Sequence, residues 1–288
     1  VESLDVLGNL DNLPKSLEGI EVGVFMNCTS LTTINFSDLL KLKTIDYSAF
    51  ENCTSLTTIN LHESLKTIGY RVFNNCTSLT TINLHDLLKL KFIKNSVFNN
   101  CTSLTTIKLP ESLEGIRDSA FNNCSSLTTI RLPKSLEVIE DRVFNNCTSL
   151  TNINLHDSLK LKTIGNSAFK NCPSLRLIVL PKSLITIGAC AFTNRISDDC
   201  KKEDSSVEQW NSNEYMSTSF LEDIRKEGKL IIAPEQILRL FDTNIVDRNI
   251  TKIIEINDLK EGIIISDLGG DIINLLIDID DIYTPIKE

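Results

Sequence analysis

The chain has 288 residues, of which 41% are hydrophobic and 23% are charged, the composition of an ordinary folded protein. Its net charge of −9 is concentrated at one end: residues 193–288 contain 11 Lys and Arg against 21 Asp and Glu, whereas the preceding residues hold 18 of the 29 basic and 17 of the 38 acidic side chains. This distribution argues against a nucleic-acid backbone as the main partner, because such a partner requires clustered Lys and Arg. No apolar run reaches the length of a membrane span.

Similar segments of 23 or 25 residues follow one another from residue 13 to residue 192. One phenylalanine marks the phase of each segment, and the steps between them are 25, 23, 25, 23, 23, 25 and 23 residues: Phe25, Phe50, Phe73, Phe98, Phe121, Phe144, Phe169 and Phe192. Such a period predicts a solenoid in which each segment forms one coil, here termed a rung, and packs on its neighbours. Residues 1–12 are expected to form an N-terminal cap. About eight rungs near 4.8 Å apart predict a length of roughly 40 Å.

The segment from Cys53 to Asn75 shows how one rung is expected to fold. Apolar and polar residues alternate in SLTTINL, as in a strand with one buried face. A second short extended segment follows, where Gly69 is expected to permit a turn, and the polar sequence NNCTS then makes a corner. The predicted core positions are Leu56, Ile59, Leu61, Leu65, Ile68, Val72 and Phe73, together with the cysteine of each repeat.

Three rungs are longer than the others by two residues, and they contain DLLKLKTI, DLLKLKFI and DSLKLKTI. The shorter rungs contain sequences such as ESLKTI at the same place. Because side chains alternate along a strand, an insertion of two keeps every inward residue pointing inward, whereas an insertion of one would reverse the register. The length difference therefore indicates an extended segment with local bulges at one edge.

Seven of the nine cysteines occupy one repeat position: Cys28, Cys53, Cys76, Cys101, Cys124, Cys147 and Cys172. This regular spacing predicts a buried column of reduced thiols, because disulfide frameworks and zinc sites have clustered pairs. A disulfide between neighbouring rungs stays geometrically open, since their spacing of about 5 Å is within reach of such a bond. Cys190 and Cys200 lie near the end of the repeats, where they can pair in an oxidising compartment.

The repeated motif resembles the BspA-type leucine-rich repeat, also called the Treponema pallidum type, whose unit reads LPxSLxxIGxxAFxxCxxL. The matching stretches include LPKSLEGIEVGVFMNC, LPESLEGIRDSAFNNC and LPKSLITIGACAF, and the resemblance covers residues 13–192 in eight rungs. It implies a right-handed coil with a parallel sheet on one face. It also implies a secreted or cell-surface protein that recognises other proteins, since such proteins are often adhesins. The chain departs from the pattern in its 25-residue rungs and in having His for Pro at positions 62, 85 and 156.

The C-terminal third lies outside this resemblance. Residues 193–219 are polar and lack an apolar period, which indicates a linker. Residues 220–288 are acidic and rich in Ile, and they predict a small α+β module. Its expected elements are short helices in FLEDIRKEG and PEQILRLF, a strand in KLIIA, and strands or short apolar segments in ITKIIEI, EGIIISDL and INLLIDIDDIY.

The outward positions of the predicted strands form two columns that are the candidate partner-binding face. The first contains Thr33, Thr58, Thr81, Thr106, Thr129 and Asn152, and the second contains Asn35, Asn60, Asn83, Lys108, Arg131 and Asn154. Their hydroxyl and amide groups can bind a partner, although Thr also suits any half-exposed strand, so both interpretations stay open. Lys108 and Arg131 lie on adjacent rungs and form a basic spot suited to an acidic partner.

The last strand of the array breaks both columns, because Leu177 and Val179 replace the polar residues. Exposed aliphatic side chains on a terminal strand require a cover. We therefore predict a capping contact in which part of residues 220–288, or a partner, lies over these two residues.

Other candidate chemistry is weaker. His62, His85 and His156 share one repeat position, but two ligands on a flexible edge make a poor metal site. Six Asn-Cys-Thr/Ser triplets formally match the glycosylation pattern, yet glycans on every rung would crowd each other, which favours tight Asn turns. The acidic cluster near Asp278 lacks the spacing of a calcium loop. No nucleophile elbow, phosphate-binding glycine loop or zinc-protease motif is present, so we predict no enzyme, cofactor or metal.

Two functions remain open from the sequence. The first is non-catalytic protein recognition by a secreted or cell-surface protein in adhesion or host interaction. The second is a cytoplasmic scaffold whose C-terminal module is the effector. The chain begins at Val1 rather than Met, as expected of a processed form or an excerpt, so the missing signal peptide does not decide the compartment.

Overall fold

The computed structural model describes residues 13–175, 177–181, 183–188, 190–192, 230–233 and 253–255. These residues contain seventeen strands and one 3₁₀ helix, Leu155–Asp157. In chain order the strands are β1 (Gly19–Ile20), β2 (Thr33–Asn35), β3 (Thr44–Ile45), β4 (Thr58–Asn60), β5 (Thr67–Ile68), β6 (Thr81–Asn83), β7 (Phe92–Ile93), β8 (Thr106–Lys108), β9 (Gly115–Ile116), β10 (Thr129–Arg131), β11 (Val138–Ile139), β12 (Asn152–Ile153), β13 (Thr163–Ile164), β14 (Leu177–Val179), β15 (Thr186–Ile187), β16 (Leu230–Ala233) and β17 (Ile253–Glu255).

Most rungs contribute one strand to each of two stacks, and every pairing is parallel. The first stack is a six-stranded sheet in the order β12-β10-β8-β6-β4-β2. The second stack consists of a three-stranded sheet, β1-β3-β5, and a five-stranded sheet, β15-β13-β11-β9-β7. Equivalent residues pair from rung to rung, as Ile34 does with Ile59 and Ile45 with Ile68. The predicted parallel β-solenoid is therefore confirmed.

The core follows the columns expected from the sequence. The eight phenylalanines from Phe25 to Phe192 stack ring on ring, with centroids 5.1–5.8 Å apart between successive rungs. The aliphatic positions are buried as well, except that Leu61 is only partly buried and packs against the edge of the core. Because stacked aromatic rings bury large areas and attract each other in offset contact, this column is a main source of the array's stability.

The seven cysteines of the repeat column are buried, and none of them forms a disulfide. Most of the thiols donate a hydrogen bond to the carbonyl oxygen of the preceding rung's phenylalanine, as Cys101 does to Phe73 over 3.2 Å. Burial raises the pKa of the Cys53 and Cys101 thiols to about 12 and raises that of Cys124 well above its usual value. The predicted reduced column is confirmed in these residues, and the thiols serve as small core groups. Cys190, by contrast, is disulfide-bonded, while Cys200 lies outside the described residues.

Asparagine makes the corner of seven rungs in the left-handed backbone region, with φ between 56° and 62°: Asn27, Asn52, Asn75, Asn100, Asn123, Asn146 and Asn171. Asparagine tolerates this conformation better than most residues. The side chains of neighbouring rungs are also bonded to one another, since Asn123 donates from Nδ2 to Oδ1 of Asn100 over 2.8 Å and accepts from Asn146 over 2.7 Å. This asparagine ladder gives the Asn-Cys-Thr/Ser triplets the turn role expected from their spacing.

The two-residue insertions form reverse turns in the three longer rungs. In each turn the residues at both ends are buried, as Leu39 and Leu42 are, and the two central residues point outward. The strands on either side keep their register, as predicted.

Gly69 has a different role from the one expected. Its φ is not left-handed, but a Cβ there would lie 2.5 Å from the backbone nitrogen of Tyr47, so glycine permits the close approach of two rungs.

Two strands beyond residue 192 continue the parallel pairing. β14 pairs in register with β16, which in turn pairs with β17. These strands lie within KLIIA and ITKIIEI, for which strands were predicted. The expected N-terminal cap, residues 1–12, lies outside the described residues, as do the linker and the remaining predicted elements of residues 220–288.

Candidate functional site

The outward residues of the first strand stack form a continuous surface, here termed the strand face. Each three-residue strand from β2 to β10 has an exposed first residue, a buried central isoleucine and an exposed third residue. In β12 the first residue, Asn152, is also exposed. The structure therefore brings eleven of the twelve candidate residues together on adjacent parallel strands, about 4.8 Å apart. The twelfth, Asn154, directly follows β12 and is partly buried.

The threonines of the strand face are available to a partner. The threonine preceding each of them bonds to the array itself: Thr57, for example, donates from Oγ1 to the carbonyl oxygen of Thr32. Within the described residues no hydrogen bond involves the hydroxyls of the first-column threonines, Thr33, Thr58, Thr81, Thr106 and Thr129. Since χ1 of Thr is stiff in strands, these hydroxyls are held in a regular row.

The asparagines of the second column are only partly available. Asn35 and Asn83 each accept a hydrogen bond from a backbone N–H two residues later, which stabilises the turn after the strand. Asn154 is fully engaged: its Oδ1 accepts from Leu132 N over 2.7 Å, and its Nδ2 donates to Leu132 O and to Asp157. Asn154 therefore belongs to the scaffold more than to the surface, a difference that spacing alone does not reveal.

Lys108 and Arg131 are directly opposite each other on β8 and β10. Both are exposed, and no ion pair involves either of them within the described ranges. Two like charges on neighbouring strands repel each other. An acidic group from outside the array would relieve this repulsion.

β14 is the terminal strand of the array, for which a capping contact was predicted. Val179 is only 7% exposed, and the backbone of β14 pairs with β16 rather than ending in an open edge. Residues of the C-terminal third therefore adjoin the last strand, whereas the side-chain contacts of Leu177 stay a prediction.

His62, at the edge of its rung, stabilises local structure. His62 Nδ1 lies 2.9 Å from Ser64 Oγ, and the Ser64 backbone N–H donates to the same nitrogen. In the described part of the chain, no three His, Cys, Asp or Glu side chains are grouped so that they can hold a metal ion.

Across the same ranges there is no helix whose length and hydropathy suit a bilayer span.

One surface feature does not follow from the sequence pattern. The central residues of the three insertion turns include Leu40, Leu88 and Leu159, which are 66%, 63% and 69% exposed and are the most exposed large hydrophobic residues described. The Leu-Lys pair that recurs in the three longer rungs was the available sign of these exposed leucines. The periodic pattern indicated only a bulge at that place.

Comparison with known proteins matches the chain to the family model described as the BspA type leucine rich repeat region. Six copies are found, over residues 9–90, 87–198 and 158–255. The last match extends the repeat pattern through β16 and β17. No curated protein sequence is significantly similar to the chain.

Several solved structures are similar to the array. A leucine rich cell surface protein from Faecalibacterium prausnitzii is 26% identical with a TM-score of 0.50, over 63% of this chain and 57% of that one. A leucine-rich repeat protein from Eubacterium ventriosum is 23% identical with a TM-score of 0.51, over 62% and 57% of the two chains. One from Bacteroides ovatus is 26% identical with a TM-score of 0.48, over 59% and 48%. The chain thus spans about half the length of these proteins.

Proposed function

Because the chain belongs to the BspA-type leucine-rich repeat family, we propose that it is a non-catalytic recognition protein that binds another protein through the strand face. The observation that carries this proposal is the row of threonine hydroxyls beside the cations Lys108 and Arg131, none of which has a hydrogen-bond or ion-pair partner for its side chain among the described residues. A rigid surface of this kind binds without first ordering its side chains, which lowers the entropic cost of association.

The partner is a protein with an acidic group opposite Lys108 and Arg131. These two residues are the only charges among the twelve candidate positions of the strand face, and the acid would form charge-assisted hydrogen bonds with them. The neighbouring threonines and Asn60 would bond to polar backbone or side-chain groups. Charges at such a position set partner choice and the rate of association more than they set affinity.

We place this recognition at the cell surface or in secreted form, in adhesion or host interaction. Two observations support the placement. Cys190 is disulfide-bonded, and such bonds persist mainly in oxidising compartments. A similar solved structure is described as a leucine rich cell surface protein. A cytoplasmic scaffold is the alternative, and labelling of live cells with an impermeant reagent separates the two.

Charge reversal tests the face. Lys108→Glu with Arg131→Glu should reduce partner recovery in an affinity capture by about tenfold or more, because juxtaposed like charges cost an interface several kcal/mol. The matched control is Lys41→Glu with Lys89→Glu, which reverses two exposed lysines on another part of the rung. Equal recovery by the wild type and the Lys108/Arg131 variant, or a selective loss in the control variant, would show that a different surface binds.

A further inference from the structure

The turns that carry the phenylalanine column are bonded to one another through their backbones. From rung to rung, three N–H groups at alternate residues of one turn donate to three carbonyl oxygens of the next turn. Between the first two rungs the donors are Gly23, Phe25 and Asn27, and the bond from Phe25 to the carbonyl oxygen of Ala49 is 2.9 Å long. The turn of the second rung therefore has its carbonyl groups occupied by the turn before it.

The turn of the first rung has no such neighbour. The equivalent carbonyl oxygens belong to Val22, Val24 and Met26, and no N–H donates to them within the described residues. Their side chains lack cover too: Val24 and Met26 are 40% and 43% exposed, whereas Ala49 and Glu51 at the same positions of the next rung are 0% and 8% exposed. The first turn is therefore an open edge, here termed the N-terminal edge, in which three acceptors lie beside apolar side chains.

The phenylalanine column and the asparagine ladder both end at the N-terminal edge. Phe25 stacks on Phe50 with ring centroids 5.1 Å apart, and in the described part of the chain no second ring covers its other side. Asn27 accepts from Nδ2 of Asn52 over 2.8 Å, but its own Nδ2 has no acceptor in the same part of the chain. A ligand at this edge can therefore extend the ring stack, the amide ladder and the backbone bonds together.

The later rungs show what covers such an edge. The covering turn has a phenylalanine that stacks on the ring below, N–H donors at alternate residues and an asparagine two residues after the phenylalanine. Its sequence is SAFEN at 48–52, SVFNN at 96–100 and SAFKN at 167–171. Its first and last residues are left-handed, with φ of 55° at Ser48 and 62° at Asn52. Residues 1–12 contain neither phenylalanine nor cysteine, so they cannot supply this turn.

We propose that the N-terminal edge binds a repeat turn of another polypeptide, of the pattern Ser-(Ala/Val)-Phe-x-Asn, so that a second BspA-type array continues the stack. The backbone bonds would give affinity and the ring and amide contacts would give specificity, as when a peptide adds a strand to an open sheet edge. An ionic ligand has nothing to pair with, because residues 22–26 carry no charge. The proposal is independent of the strand face, which lies on another segment of each rung.

Fluorescence anisotropy with the full chain tests the edge. The probe is a labelled peptide with the sequence of residues 92–100, which contains one short strand and the turn that follows it. We expect saturable binding. N-methylation of the amide of Phe98 in the peptide removes the central donor and should weaken binding at least tenfold. Val24→Asp with Met26→Asp in the protein should weaken it by at least as much, because the peptide would bury the new carboxylates.

The matched control is Leu88→Asp with Leu159→Asp, which places the same charges at exposed leucines of the fourth and seventh rungs. This variant should bind the peptide within about twofold of the wild type, and both variants should keep the melting temperature. No binding to the wild type, unchanged binding to the Val24/Met26 variant or an equal loss in the control would overturn the proposal. So would equally tight binding of the peptide with Phe98→Ala, because any apolar peptide would then serve as the ligand.

Discussion

At the scale of single residues, asparagine carries the geometry of the array. Each corner needs a residue in the left-handed region, and the same side chain must reach the neighbouring rung. Glycine would adopt the left-handed conformation but has no side chain to bond to the neighbouring rung. Glutamine would meet both requirements less well than asparagine does. This double requirement explains why Asn precedes each of the seven cysteines of the repeat column, and it accounts for the motif without a glycan.

Two substitutions at Asn123 separate the backbone requirement from the ladder. Asn123→Gly keeps the left-handed backbone but removes the hydrogen bonds to Asn100 and Asn146, at a cost of about 0.5–1.5 kcal/mol for each bond. Asn123→Ala removes the same bonds and adds a backbone cost of about 1–2 kcal/mol. Urea unfolding should therefore rank the free energies of unfolding as wild type, then Asn123→Gly, then Asn123→Ala. A glycine variant as unstable as the alanine variant would contradict the backbone argument.

At the scale of the repeated element, the sequence predicts the fold well because solenoid periodicity is redundant. Eight phenylalanines and seven cysteines mark equivalent buried positions in successive rungs. The strand, its register and its buried positions therefore all follow from the same pattern. The second strand stack also follows, since an insertion of two preserves its register.

The candidate site is less predictable for the same reason. Exposure follows from strand alternation, but the partners of a side chain do not: Asn154 is bonded to Leu132, while Asn60 at the equivalent position has no such bond within the described residues. The turn that exposes Leu88 depends on both of its ends being buried, and a period of two cannot distinguish that turn from a bulge.

The cysteine column predicts a loss of stability at alkaline pH. Burial raises the folded-state pKa of Cys101 from 9.0 to about 12, so between these values the unfolded chain loses the thiol proton and the folded chain keeps it. The folded state then binds more protons, and the free energy of unfolding falls as pH rises through this window. Each such thiol contributes up to about 1.4 kcal/mol per pH unit. Urea unfolding between about pH 8 and pH 11 measures the slope.

The decline should be shallower for Cys101→Ala than for Thr58→Ala, a control that removes no titrating group. Thiol labelling provides an independent check, because the buried column should react only after denaturation. A slope that does not change in Cys101→Ala, or rapid labelling of the native protein, would show that the thiols are accessible.

At the scale of the whole molecule, the array is stable only because its rungs are stacked. A single rung orders some 23 residues and cannot offset that cost through its own core, so both ends of the stack need protection. At the C-terminal end, β14 pairs in register with β16, and β16 pairs with β17; we expect these two strands to provide the protection. The parallel sheet is therefore continuous from β14 to the strands that follow residue 192.

Deletion of residues 220–288 tests this protection. The variant should expose the edge of β14 together with Leu177 and Val179, and open strand edges promote association. We expect it to self-associate in analytical ultracentrifugation and to bind a hydrophobic dye. A deletion variant that remains monomeric and as soluble as the full chain would contradict the capping contact.

The central claim is that a protein partner contacts the strand face, and site-specific photocrosslinking tests it most directly. A benzophenone amino acid at Thr81, on the strand face, should yield a covalent adduct with a partner protein under conditions in which the same amino acid at Leu88 yields none. The Lys108→Glu with Arg131→Glu background should abolish the adduct at Thr81. An adduct that forms only at Leu88, or equally at both positions, would contradict the account.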